Sequence, residues 1–276
     1  MIILIPISQI GICFNKNGGV HEKAETFEEM LKTAIKTIKK KPEILKKLLL
    51  LLYPNRCMLC DRVLVYGQKA SMCGHCVEMV PSYAVESRKI VISAVSDLDG
   101  VYSAFRYSGH MREAVLRFKN RGMKEYALSM GALMKNAEWP EDFSEVIRDA
   151  GFFVPVPLHR SRRKERGYNQ AEALAQALSG QYGKPMSTAL TRKKKTVHMY
   201  NLPKSDRSQN VHGAFTISDS SIFRGKNVIL VDDIYTTGAT AEECARILKA
   251  AGAGRVYLLT FTVAGSHLLF QTSSES

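Results

Sequence analysis

A chain of 276 residues is long enough for one main core of well over about 100 residues with a smaller module beside it. With 24% charged and 45% apolar residues, the composition is that of a globular protein and excludes wholesale disorder. Lys and Arg total 39 against 26 Asp and Glu, a formal charge of +13, which points to a polyanionic partner, nucleic acid or phosphate, over a merely soluble surface.

From the N-terminus, Met1 to Ile12 is apolar but has neither a basic leader nor a small-residue cleavage site, so secretion is not expected and the protein is read as cytoplasmic. Phe27, Met30, Leu31, Ala34, Ile35 and Ile38 recur at helical spacing and predict an amphipathic helix over 25–39, with Lys32, Lys36, Lys39 and Lys40 on its polar side. Pro42 ends it, and Ile44, Leu45, Leu48, Leu49 and Leu52 suggest a second short helix. The leucine run 48–52 is far shorter than the roughly 20 apolar residues of a bilayer span. No transmembrane helix is expected, and packing on the rest of the chain is preferred to a membrane-surface or partner helix.

Four of the six cysteines then form two knuckles, Cys57-x2-Cys60 and Cys73-x2-Cys76, twelve residues apart. In a reducing compartment this doubled spacing points to zinc rather than to disulfides or a redox dithiol. Each turn sets two thiolates on one face, and two facing turns complete a tetrahedral shell of four sulfurs. With every position taken by sulfur no site is left for water activation, so the zinc is structural. His75, inside the second knuckle, is the one competing ligand. Cys244 has no partner in a motif and reads as a small buried hydrophobe.

After the knuckles, 94–107 has strand character, and 111–119 and 125–134 read as helix around Gly122. Gly151 to Pro157 is an apolar run closed by prolines, as expected of a buried parallel strand entering a site loop, and a helix follows from Asn169 to Ser179. Val228 to Val231 is a central strand, Asp232 to Gly238 a turn, Ala239 to Ala251 a helix and Val256 to Val263 a second strand. That βαβ unit predicts an α/β fold, a parallel sheet flanked by helices, with a site at the strand's carboxyl end.

The loop itself carries the chemistry. Thr236, Thr237, Gly238, Ala239 and Thr240 open the helix, so backbone N–H groups, hydroxyls and the positive end of the helix dipole converge where a phosphate monoester fits. Asp232 and Asp233 can accept hydrogen bonds from a ribose diol or hold hydrated Mg2+. An ordinary acidic helix start is the alternative, and the run Thr-Thr-Gly-Ala-Thr after two carboxylates is more specific than a lone cap. No Walker GxxxxGK[ST] is present.

This loop resembles the phosphoribosyl-pyrophosphate (PRPP) signature of type I phosphoribosyltransferases, and the wider sequence is similar to the ComF (ComFC) family of competence proteins. The likeness rests on Phe152 to His159, Arg160 to Ala171, Asn210 to Phe215, the loop with its helix and the four-cysteine ribbon, covering about residues 53–263. The N-terminal helical extension (1–52) and the tail after Ala264 lie outside the likeness, which implies a zinc ribbon (53–85) followed by a phosphoribosyltransferase-like domain, taken as 86–276. It further implies that Asp232 and Asp233 meet the ribose hydroxyls and Mg2+, that Thr236 to Thr240 hold the 5′-phosphate, and that Val156, Pro157 and Leu158 form the pyrophosphate loop. Arg160 to Arg166 would lie on a mobile segment closing over the site, with Arg162 and Arg166 assigned to PRPP, and Arg207 and Asn210 would approach it. Met199 stands where the family's Thr-x-x-Gln-x-x-Leu pattern has Gln.

Two functions follow. One is a protein of DNA uptake that binds PRPP and single-stranded DNA beside a competence helicase of the ComFA type. The other is an active phosphoribosyltransferase of nucleotide salvage or synthesis, whose oxocarbenium-like chemistry needs no covalent protein group. The basic load supports the first. Arg160, Arg163 and Lys164 are assigned to DNA, although a pyrophosphate lid is an equal reading of 160–166; Arg192, Lys193, Lys194 and Lys195 are assigned likewise. A third basic run, from Arg106 to Lys124, interleaves with Phe105, Tyr107 and Phe118, which are stacking platforms or core.

Overall fold

The computed structural model describes residues 54–65, 71–85, 89–90, 92–120, 124–194 and 206–265. The helices expected over 25–39 and 44–52, together with Arg121, Lys195 and Met199, lie outside the described residues. The chain divides into two compact units, Met1–Pro54 and Asn55–Ser276, and every element below belongs to the second.

That unit contains, in order, α1 (Gly74–Met79), β1 (Lys89–Ile90), β2 (Gly100–Arg106), α2 (Gly109–Asn120), α3 (Tyr126–Lys135), α4 (Asp142–Asp149), β3 (Ala150–Pro155), α5 (Arg160–Arg166), α6 (Gln170–Tyr182), β4 (Leu190–Arg192), α7 (Asp206–Val211), β5 (Phe215–Ile217), β6 (Asn227–Tyr235), α8 (Ala239–Ala250) and β7 (Val256–Val263). The main sheet runs β1-β2-β7-β6-β3, with every pairing parallel except β1 with β2; β4 and β5 form a separate antiparallel pair.

The β6 sequence explains why it lies inside. Val228, Ile229, Leu230 and Val231 are all fully buried, each contributing about 1.5–3 kcal/mol by burial. Their alternation divides the core. Ile229 and Val231 join Phe153, Leu174 and Leu178 under α6, whereas Val228 and Leu230 join Val154, Cys244 and Leu248 under α8. Helices therefore cover both faces, as an apolar run without alternation requires. Cys244 is the small buried hydrophobe expected.

The observed strand is longer than the expected one. Pairing of Asp232 with Thr260, Ile234 with Thr262 and Tyr235 with Val263 carries β6 four residues past Val231, so both carboxylates sit on the strand and the turn begins at Thr236. The neighbouring β7 supplies backbone partners that local propensity does not reveal. Conversely, the strand expected from 94 is confined to Gly100–Arg106.

The four-cysteine region has no core of its own. Met58, Leu59, Leu64 and Met72 share one cluster with Tyr102, Phe105, Phe118 and Met130. Arg117 of α2 fastens it: one guanidinium nitrogen donates to Met58 O (2.9 Å) and Leu59 O (2.8 Å), and Nε lies 3.6 Å from Asp61. Tyr126 adds a hydrogen bond to Arg56 O, and the Ser71 amide donates to Ser129 Oγ. Arg117→Ala should cost about 2 kcal/mol and speed amide exchange around residues 57–61 while leaving β6 and β7 protected, as measured by hydrogen–deuterium exchange.

Candidate functional site

Where β6 ends, Asp233 is 3% exposed and its Oδ1 lies 2.9 Å from the Lys119 ammonium at the end of α2. Its backbone N–H donates to Asp232 Oδ1 (2.8 Å), and its carbonyl accepts from Thr262 Oγ1. Asp233 Oδ2 is buried without a hydrogen-bond partner among the described residues. A buried carboxylate oxygen left open beside a cation is a poor element of pure scaffold and a good acceptor for a hydroxyl or a hydrated cation. Burial, and next the charge of Asp233, push the Asp232 carboxyl up to about 7, with Lys119 opposing.

The chain turns directly after the carboxylates. Gly238, the N-cap of α8, has φ 79°, and a Cβ there would lie 2.7 Å from the Tyr235 hydroxyl. Only glycine meets both conditions. Thr236 is exposed, Thr237, Ala239 and Thr240 are half-buried, and the first-turn amides of a twelve-residue helix follow. Glu242 in that turn is held by Ser96 Oγ and the Asp97 amide, which fixes the helix start against the loop before β2.

Across the sheet, the Val156 amide donates to Val231 O, and Asn169 Nδ2 donates to Val156 O, so the Val156-Pro157-Leu158 loop is anchored beside the end of β6. A cavity of about 340 Å³ opens there, lined by Pro157, Leu158, Arg160, Arg163, Thr191 and Arg192 among others. The segment Arg160–Arg166, expected as a mobile lid, is a helix, capped at its start by His159 accepting from the Ser161 amide and ended by Gly167 at φ 82°. Arg160, Arg163 and Lys164 are exposed, whereas Arg162 and Arg166 are half-buried. Arg163 pairs with Glu172 at 3.1 Å, and Arg166 donates to Gln170.

The second basic run does not stay together. Lys193 and Lys194 are exposed, but Arg192 is half-buried with its guanidinium 5.2 Å from the Phe215 ring centroid. Burial and the neighbouring Arg162 lower its proton affinity, with Cys244 and Asp232 opposing. Arg192 therefore belongs to the cavity wall as much as to a surface. The third run separates further: Arg117 holds the cysteine region, Arg112 pairs with Glu113, Lys119 pairs with Asp233, and Phe105 and Phe118 are core. Of the two readings of those aromatics, packing is the one realised.

Sequence reasoning missed the role of Lys119, which lies 114 positions from its partner inside an ordinary basic helix. It also missed Glu243, 6% exposed and clamped by Arg246, which lowers its carboxyl pKa, and accepting from the Gly213 amide at 2.7 Å. Gly213, at φ 63°, turns that amide inward between buried Val211 and Ala214, which gives the Asn210–Phe215 block its physical reason. The side chain of Arg207 lies outside the described residues, although the residue itself falls within α7.

The Sγ atoms of Cys57, Cys60, Cys73 and Cys76 all lie within 4.8 Å of one another, and the Cys60–Cys73 separation is 3.7 Å. Four sulfurs around one tetrahedral ion at about 2.3 Å stand some 3.8 Å apart, so the cluster could hold a metal ion. The Cys73 amide donates to Cys57 Sγ. Burial raises the Cys57 thiol, but hydrogen bonds from the backbone of Cys60, Cys73 and Leu59 bring it to about 7. Burial and the three neighbouring sulfurs hold Cys76 protonated, the mutual repulsion that a bound cation removes. His75 is exposed and is not part of the cluster. Among the described residues, no helix is long and apolar enough to cross a membrane.

The parallel sheet, its helices on both faces and the carboxylate-threonine loop at the end of β6 define a phosphoribosyltransferase-type domain, and the phosphoribosyl transferase domain family matches residues 164–270. Among curated proteins, the chain is 34% identical over 155 residues to competence protein ComFC of Bacillus subtilis, a match covering 54% of this chain and 58% of that protein. It is 29% identical to competence protein F of Haemophilus influenzae over 66% of this chain and 74% of that protein, and 28% identical to the DNA utilization protein YhgH of Salmonella typhi over 73% and 82%. The chain is thus similar to ComF-type competence proteins, and it spans a little over half the length of the Bacillus subtilis relative.

Asp232 gives a pH test. Its carboxyl rises from 3.8 to about 7 on folding, so the stability it contributes is full below 3.8 and is lost as pH rises through about 7. Asp232→Asn, which keeps the acceptor for the Asp233 amide, should exceed the parent in unfolding free energy by about 2 kcal/mol at pH 8 and by little at pH 4, as read by urea denaturation.

Proposed function

We propose that this protein binds PRPP with Mg2+ at the end of β6 and grips single-stranded DNA during uptake. The observation that carries the reading is Asp233 Oδ2, a buried, open carboxylate oxygen directly ahead of a glycine-capped helix start. Asp232 and Asp233 would receive the ribose hydroxyls and the hydrated Mg2+, the Thr236–Thr240 turn the 5′-phosphate, and Val156 to Leu158 with Arg162 and Arg166 the pyrophosphate. Mg2+ would neutralise charge on the pyrophosphate. Lys119 pairs with Asp233 Oδ1 and leaves Oδ2 for ligand.

Exposed Arg160, Arg163, Lys164, Lys193 and Lys194 would contact the phosphates of a strand, which makes binding tolerant of sequence and sensitive to salt. The names of the relatives, competence and DNA utilization proteins, support this assignment. Zinc is the ion that four thiolates at this spacing select, in a structural role. A competence helicase and a membrane uptake complex are the partners the reading entails, in the cytoplasm. Turnover of PRPP onto an acceptor is the second reading, favoured by the same carboxylate pair.

Calorimetric titration of PRPP with Mg2+, repeated with a single-stranded oligonucleotide at low and moderate salt, tests the pair. PRPP binding with DNA affinity that falls as salt rises is expected; PRPP binding without DNA affinity at either salt would leave only the transferase. Asp232→Asn with Asp233→Asn should weaken PRPP at least 100-fold with the fold retained by circular dichroism, and unchanged affinity would remove the site. Cys73→Ser should lose one equivalent of zinc by elemental analysis and lower the melting temperature; a folded, equally stable, metal-free variant would contradict the structural role.

A further inference from the structure

At the start of α6, Asn169 occupies the N-cap, where an asparagine side chain ordinarily accepts from a first-turn amide and stabilises the helix by about 1 kcal/mol. It makes no such bond in this helix. Instead the residue is 8% exposed and its Nδ2 donates to Val156 O at 3.2 Å. With the amide turned over, two acceptor oxygens would face each other, so the carbonyl fixes which end of the side chain points at Val156. A helix cap has been given up for a contact to the loop. Val156 is held from a second side as well: its N–H donates at 2.9 Å to the carbonyl of Val231, the residue before Asp232.

The flanking side chains reach two other arms of the site. Tyr168 donates its hydroxyl to Phe118 O, and its ring meets the fully buried Phe118 ring edge-on at 5.6 Å, one residue before the lysine paired with Asp233. Burial raises the pKa of that hydroxyl, Gln170 opposes and the charge of Asp233 adds to the rise, so the group keeps its proton and remains a donor. Gln170, 3% exposed, accepts from Arg166 at 3.2 Å. Three consecutive side chains thus connect α2, the Val156–Leu158 loop and α5.

We propose that Tyr168 and Asn169 are positioning residues for the pyrophosphate half of the site: Asn169 sets the orientation of the Val156–Leu158 loop, and Tyr168 sets its distance from the carboxylates of β6. Neither has to touch the ligand. A ligand that spans two subsites gains affinity over its fragments only where their spacing lets both engage at once. PRPP is such a ligand, with a ribose phosphate at one end and a pyrophosphate at the other. The proposal rests on the PRPP reading and names the residues that hold the two halves of that site in register.

The test is calorimetric titration of the full chain with PRPP, pyrophosphate and ribose 5-phosphate, each with Mg2+, at about pH 8 and about pH 5.5. Asn169→Ala should weaken PRPP and pyrophosphate by about tenfold or more at both pH values, and ribose 5-phosphate by less than about twofold. Asn169→Asp should match that loss at the higher pH and recover part of it at the lower, where the buried carboxyl takes a proton and can donate to Val156 O again. Tyr168→Phe, which keeps the ring on Phe118, should weaken PRPP about threefold and neither fragment. PRPP binding indifferent to either residue would overturn the proposal. So would equal loss for all three ligands, the mark of general damage, or a loss in Asn169→Asp that acid does not relieve. Amide exchange at Val156 in the unliganded chain separates the tether from the PRPP reading. Faster exchange in Asn169→Ala with no PRPP binding by the parent would uphold the tether and sink the PRPP reading; unchanged exchange would sink the tether.

Discussion

A carboxylate buried at the end of a central strand must be compensated, and the Lys119–Asp233 ion pair does this. It costs the fold two desolvated charges, and it ties α2 to the end of β6, drawing together segments that are distant in sequence. The same helix carries Arg117, whose guanidinium holds the carbonyls of Met58 and Leu59. One helix therefore couples the cysteine cluster on one side to the carboxylate site on the other. The cluster depends on that helix because its own apolar residues have no separate core to enter.

The site is assembled from strand ends. β6 supplies two acids, the turn after it supplies amides and hydroxyls, and β3 leads into the proline-containing loop that Asn169 anchors. This is the carboxyl edge of a parallel sheet, where backbone groups are not consumed by pairing and helix starts present their positive ends. Positive charge is graded across this edge. Arg162, Arg166 and Arg192 are half-buried, and Arg160, Arg163, Lys164, Lys193 and Lys194 stand in solvent. The inner group is suited to a small, highly charged ligand and the outer group to a long polyanion. That difference in depth makes the two proposed ligands compatible on one chain.

Much of this was legible in the linear sequence, for identifiable reasons. Val228 to Val231 is an uninterrupted apolar run, which only a strand covered on both faces accommodates, and Asp232 to Thr240 is a local motif whose residue types specify a turn and a helix start. The doubled CxxC spacing is likewise local, and the four sulfurs converge as that spacing implies. In each case the information lies within a few residues of the atoms it positions.

What the tertiary structure alone decided are properties of contacts between distant segments. Strand β6 runs on through Tyr235 because β7 offers partners, which no propensity at Asp232 could announce. Lys119, Arg117, Arg192 and Glu243 look like solvated charges in sequence; only packing shows one on Asp233, one on backbone carbonyls, one stacked on Phe215 and one receiving the Gly213 amide. Charge type and helical periodicity say which face of an element is polar. Which polar groups meet, and which are left open toward a ligand, is settled by how the faces pack.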